Sequence, residues 1–167
     1  MNPMATRLRN CGLAALLGLC VNSAFAQTPT EFINDASAKG IADIEASRLA
    51  HQKSESKEVK DYTIVVINDR TTANQHLAKI AKQLDLPVAP REEVMEKAKA
   101  LMPQVMEGET FDQAYAASQV KTTQEAIEQL EQTAQTTEVP QIKAFAEETL
   151  PKLQNHLQMA RALQASR

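Results

Sequence analysis

The chain has 167 residues, 43% of them hydrophobic and 23% charged, with a formal net charge of −3; that is enough apolar material for the core of one domain. Aromatics make up 4%, Trp is absent and there are four glycines, which argues against an all-β sandwich or barrel with its turn-rich, aromatic strands. The acidic balance excludes a strongly basic nucleic-acid surface, while the abundance of Ala, Gln, Glu, Lys and Leu is helix-forming stock.

Residues 1–26 read as a secretory signal. MNPMATRLRN supplies Arg7 and Arg9 with no acid, CGLAALLGLC an apolar run, and Ala24-Phe25-Ala26 a small-x-small cleavage site. The apolar run is too short to span a bilayer as a mature helix. A lipoprotein route through Cys20 is disfavoured, because Leu19 stands where a lipobox needs a small residue. Cleavage after Ala26 removes 26 of the 167 residues, both cysteines, Arg7 and Arg9, leaving 141 residues with a charge of −5. That mature chain has no thiol for a disulfide or a thiolate metal site, and its expected location is the periplasm.

The remainder breaks at prolines and polar caps. Thr28 and Glu31 stand at capping-box spacing around Pro29 and open a first helix that runs to about Lys53. Ser54-Glu55-Ser56-Lys57 begins a second, stopped by Leu86-Pro87. A short helix over 91–106 follows, disturbed by Pro103 and ended by Gly108. Thr110 and Gln113 form a second capping box and start the third long helix, which fades at Gln135-Thr136-Thr137. Pro140 starts the fourth, towards Gln164, with Pro151 inside it removing an amide and predicting a kink.

Four long helices with short connections predict an all-α, antiparallel four-helix bundle with an extra short helix between the second and third. Steps of four and three trace a seam along each: Ile33, Ala36, Gly40, Asp43, Ser47 and Ala50 in the first; Val59 through Val66, Ala73, Leu77 and Ile80 to Leu84 in the second. The third follows Ala116, Val120, Thr123, Ile127, Leu130 and Ala134; the fourth follows Ile142, Phe145, Thr149, Leu153, His156, Ala160 and Leu163. Mid-seam, each helix carries a polar residue: Asp43, Arg70, Thr123 and His156. A buried charge needs a partner, so the expected arrangement is a satisfied polar layer with Asp43 paired to Arg70, and Asp69 or Glu147 as alternative carboxylates. Polar residues facing one another in a bundle can also build a metal site, but a fixed guanidinium repels a cation.

GIADIEASRLA, VKDYTIVVINDRTTANQHLAKIA, GETFDQAYAASQVKTTQEAI and FAEETLPKLQNHLQMA resemble the ferritin-like bacterial envelope family called domain of unknown function 4142. The resemblance covers about residues 30–163, and its most specific parts are FD-x-x-Y (Phe111, Asp112, Tyr115) and LP-x-L-x-x-HL, from Leu150 to Leu157. It implies a four-helix ferritin-like bundle and no established activity. The family pattern places an acid on Asp43, a DH pair on Asp69 and Arg70, a histidine on Thr123 and another on His156. Only the last of these histidines is kept here. If those family positions bind metal, this chain has lost most of the site.

The residues themselves agree. None of His51, His76 and His156 is preceded at three residues by Glu, so the Glu-x-x-His pairing of di-iron bundles is missing. HExxH, GxSxG and Gly-rich phosphate loops are absent as well. His76 reads as a flank residue, His51 as a cation suited to a helix C-terminus, and Met95, Met102 and Met106 as packing rather than a copper-binding stripe. The expectation is an exported, non-catalytic bundle of interaction or envelope-stress type, with a degenerate metal-site region and no cofactor. The alternative is a metal-binding or redox ferritin-like protein using Asp43, Asp69, Glu147 and His156. Nucleic acid is excluded as a partner, a membrane-surface role is disfavoured by charge and by the lack of aromatic anchors, and a protein partner or homo-oligomer stays open.

Overall fold

A computed structural model describes residues 27–102 and 110–166; residues 1–26, read from sequence as a secretory signal, and Pro103, Met106 and Gly108 lie outside the described residues. Those residues form five helices, α1 Pro29–Lys53, α2 Lys57–Gln83, α3 Arg91–Ala100, α4 Phe111–Thr136 and α5 Pro140–Ala165. Local chemistry sets the boundaries. Thr28 and Thr110 each close a capping box, with Glu31 and Gln113 as the respective partners. Ser56 caps α2 through the Val59 amide, and Pro140 occupies the first turn of α5. At the end of α2, Asp85 takes a left-handed conformation (φ 50°). There the Leu86 amide donates to the Ala81 carbonyl at 3.0 Å, closing a Schellman turn that docks Leu86 on the core before Pro87 forbids further helix.

The three-residue links Ser54–Ser56 and Thr137–Val139 fold α1 against α2 and α4 against α5 as antiparallel hairpins. The hairpins meet through α2 with α5, and more sparsely through α1 with α4. Lys53 lies 5.2 Å over the Phe111 ring, and Gln129 donates to Gln27 at 3.1 Å, so α4 starts where α1 ends and finishes where α1 starts. Every neighbouring pair is therefore antiparallel, whereas α2 and α4 are parallel and sit across the diagonal. That order needs one crossover along the bundle, unlike the uniformly short connections expected from sequence. The crossover contains α3, which packs on α1: Lys97 pairs with Asp35, and the Ala89 amide donates to Asn34 Oδ1 at 2.9 Å.

α3 ends at Ala100, shorter than the 91–106 expected; Met102 still closes a turn on the Lys99 carbonyl. α5 runs without interruption through Pro151. In α4 the buried line is Ala116, Gln119, Thr123, Ala126 and Leu130, while Val120 and Ile127 are only half-buried. Val120 and Ile127, which the expected seam placed inside, lie at the edge of the buried face and pack against the two apolar clusters. Gly40 on α1 permits a close approach to α2: a Cβ there would meet Asn74 Oδ1 at 2.3 Å.

Two apolar clusters fill the ends of the bundle. One gathers Phe32, Leu77, Ile80, Leu130, Phe145 and Leu153; the other gathers Ala50, Val59, Tyr62, Val66, Tyr115 and Leu163. Between them lies a polar layer.

Candidate functional site

The layer divides into two pairs. On the α1–α2 side, Arg70 Nη2 lies 2.6 Å from Asp43 Oδ2, with the two side chains 9% and 7% exposed. Burial at that level makes each charge dependent on the other. The Thr122 hydroxyl adds a long contact of 3.4 Å to Asp43 Oδ1, and Arg70 Nε is buried with no hydrogen-bond partner among the described residues. On the α2–α5 side, His156, 1% exposed, has Nε2 2.8 Å from Asp69 Oδ2. Burial holds its imidazole below the usual range, against the upward pull of the Asp69 hydrogen bond. The neutral ring must then carry its proton on Nε2 to donate to the carboxylate. Asp69 is one-third exposed and also lies 4.0 Å from Lys152.

The two acids thus go to different partners: Asp43 to Arg70, Asp69 to His156. Thr123 is buried but turns to the Tyr62 hydroxyl rather than to Asp43; its neighbour Thr122 makes that contact. Glu147, the other carboxylate considered for the layer, is exposed on α5 and lies outside it. His76 is likewise peripheral, edge-on to Phe145 and 3.7 Å from Glu148. His51 Nδ1 lies 2.9 Å from Thr63 Oγ1, tying the end of α1 to the start of α2.

Sequence reasoning missed a second polar belt one turn away. Tyr115 and Ser47 hydroxyls lie 2.8 Å apart, and the Tyr62 hydroxyl donates to Gln119 Oε1 at 3.2 Å. Both phenols are pushed above their ordinary range, chiefly by burial, and their rings meet edge-on at 6.1 Å. The available signal was that these are the chain's only two tyrosines and that one belongs to FD-x-x-Y. That motif is explained by the structure: Phe111 sits beneath Lys53, Asp112 accepts from Ser54 Oγ at 2.9 Å, and Tyr115 reaches Ser47. All three tie the start of α4 to the end of α1.

Chemically, the layer is a set of pre-paired charges. Among the described residues, no three His, Cys, Asp or Glu side chains converge to hold a metal ion. Beside the layer, where α1 and α4 pack sparsely, a cleft of about 280 Å³ opens to the surface. Its lining includes Asp43 and Arg70, both buried, and Leu101 and Lys121, both exposed. No helix among the described residues is long and apolar enough to cross a membrane.

Comparison with solved structures finds two that are similar over most of both chains. One is titled CopM in the Cu(I)-bound form, with 18% identity, a TM-score of 0.68, and coverage of 83% of this chain and 96% of that one. The other, CopM in the Cu(II)-bound form, has 14% identity, a TM-score of 0.66 and the same coverage. At that identity the likeness concerns the helical fold. No curated protein matches the chain by sequence. A family model described as "Domain of unknown function (DUF4142)" matches residues 18–163, and with that span the chain belongs to this family.

Proposed function

We propose that this chain is an exported, non-catalytic bundle of interaction or envelope-stress type, in which the positions that could build a metal site hold an internal ion pair instead. The observation that carries this reading is Arg70 Nη2 at 2.6 Å from Asp43 Oδ2 inside the bundle. A guanidinium cannot be deprotonated in a protein, so its charge stands where a divalent ion would need carboxylate oxygen. A copper or iron ion does not fit this layer: Asp43 is occupied by Arg70, and His156 by Asp69. Export is supported by the basic, apolar and Ala24-Phe25-Ala26 sequence of the leader.

The copper-bound state of the two similar structures favours a second reading, in which the chain takes copper away from the layer. Met95 and Met102, in and just after α3, carry thioethers of the kind that suits Cu(I). The test is metal analysis of chelator-free protein, followed by titration with Cu(I) and Zn(II). No stoichiometric metal is expected. Binding lost on Met95→Leu and Met102→Leu would establish the second reading, and binding lost on Asp43→Asn or His156→Gln would overturn the first. Export is checked by N-terminal sequencing of the secreted form, which should begin at Gln27; a retained Met1 or a lipid on Cys20 would refute it.

A further inference from the structure

We infer that the fold clasps the side chain of Gln27 and so holds the amino terminus of the mature chain against cyclisation, as an open glutamine with a free amine. Under the export proposed above, on which this inference rests, cleavage after Ala26 makes Gln27 the first residue. An amino-terminal glutamine closes on itself without a co-reactant. The α-amine nitrogen attacks the side-chain Cδ, an N–Cδ bond forms, the Cδ–Nε2 bond breaks, and Nε2 leaves as ammonia, taking one amine hydrogen with it.

Both ends of the Gln27 carboxamide are engaged. Its Nε2 donates to Asp35 Oδ2 at 2.7 Å, and its Oε1 accepts from Gln129 Nε2 at 3.1 Å. Each partner is fixed in turn: Asp35 Oδ1 takes the Lys97 ammonium from α3, and Gln129 Oε1 takes Lys39 Nζ at 2.7 Å. The side chain of Gln27 therefore joins α1, α3 and α4. All of these residues follow Ala26, so no part of the clasp leaves with the leader.

The geometry opposes ring closure. The Thr28 amide and hydroxyl both donate to Glu31 Oε2, at 2.9 and 2.7 Å, which fixes the backbone next to Gln27. Only the Gln27 side chain is left to move. Asp35 stands eight residues further on, about two helical turns, so the carboxamide reaches forward along α1. Closure folds it back onto its own α-nitrogen and withdraws it from Asp35 and Gln129. The bond to Asp35 is charge-assisted, and it holds Nε2, the atom that must leave. Both bonds lie at the surface, where such contacts are modest; together they should slow closure by about tenfold.

The experiment expresses the full chain with its leader and purifies the exported product. Intact mass follows closure over days, as the loss of one ammonia, and N-terminal sequencing follows it as blockage. The product should begin at open Gln27 and close about tenfold more slowly in buffer than in guanidinium chloride. Asp35→Ala and Gln129→Ala each remove one partner and lie outside both apolar clusters. Each should raise the rate in buffer by about threefold or more; Gln129→Ala, which keeps the Lys97–Asp35 pair, guards against loosening of α3. Glu125→Ala, elsewhere on α4, should leave the rate unchanged. A rate in buffer equal to that in denaturant, a rate that either partner substitution leaves unchanged, or one that Glu125→Ala raises as much would overturn this inference alone. A product that does not begin at Gln27 would overturn the export reading and this inference with it.

Discussion

Asp43→Ala removes the carboxylate paired with Arg70 and leaves the guanidinium buried in the middle of the bundle. The side chains are 7% and 9% exposed and 2.6 Å apart, which places them with buried pairs, where losing one partner costs about 3–5 kcal/mol. Two features of the structure set the value at the lower end, about 3 kcal/mol: the adjoining cleft lets water reach the abandoned charge, and Arg70 Nε already lacks a partner in the native fold. Arg70→Leu alone strands Asp43 instead, with Thr122 at 3.4 Å as a weak compensating donor. The double change Asp43→Ala with Arg70→Leu removes both charges and puts a hydrophobe in a seam otherwise lined by Val66, Leu77 and Ile80. It should recover most of the loss, ending within about 1 kcal/mol of the parent. Urea unfolding of all four proteins, followed by far-UV circular dichroism, closes the cycle. Additive single-mutant costs, or an Asp43→Ala cost below about 1 kcal/mol, would refute the claim that the layer is held by a desolvated pair.

Leu130→Ala should cost about 2–5 kcal/mol, since Leu130 packs in the end cluster with Phe145 and Leu153; denaturation showing no loss would mean α4 is rotated away from the core. His156 gives stability a pH dependence of defined sign. Its folded value lies below the ordinary value of 6.5, so the unfolded chain takes the proton first, and stability present above about pH 6.5 is lost as pH falls towards the folded value. His156→Gln keeps an N–H for Asp69 and should flatten that slope in thermal melts between pH 7 and pH 5. Arg70→His combined with Thr123→His introduces the histidines that the family resemblance places at these positions, and if those positions form a metal site the variant should bind zinc or copper by calorimetry; failure would show that they do not form one even in their histidine form.

The helices themselves were legible because their determinants are local. The Thr28–Glu31 and Thr110–Gln113 boxes and Pro140 act within a turn of chain and place boundaries without any tertiary contact, whereas α2 ends at Gln83, before the Leu86-Pro87 stop expected from sequence. The seams of α1, α2 and α5 were legible for a similar reason, since alternating steps of three and four are a property of one helix. Asp43, Arg70 and His156 lie on those seams, so their burial could be read directly.

Partners could not be read in this way, because several pairings satisfy the same seam. Asp43 was the first candidate for Arg70, but Asp69 stayed an alternative until packing put it, one residue before Arg70 and about 100° around the helix, towards α5 and His156. Glu147 fell away for the same geometric reason, its direction on α5 facing solvent. The crossover was invisible too: nothing between Leu84 and Thr110 states whether α4 starts at the near or the far end of the bundle. Tertiary contacts decide it, with Lys53 on Phe111, Ser54 on Asp112 and Tyr115 on Ser47 holding the start of α4 at the end of α1. That choice makes α1 and α4 neighbours and opens the cleft beside Arg70. Short-range chemistry along the chain determined which segments are helices and which faces they bury; long-range packing alone decided which charges meet.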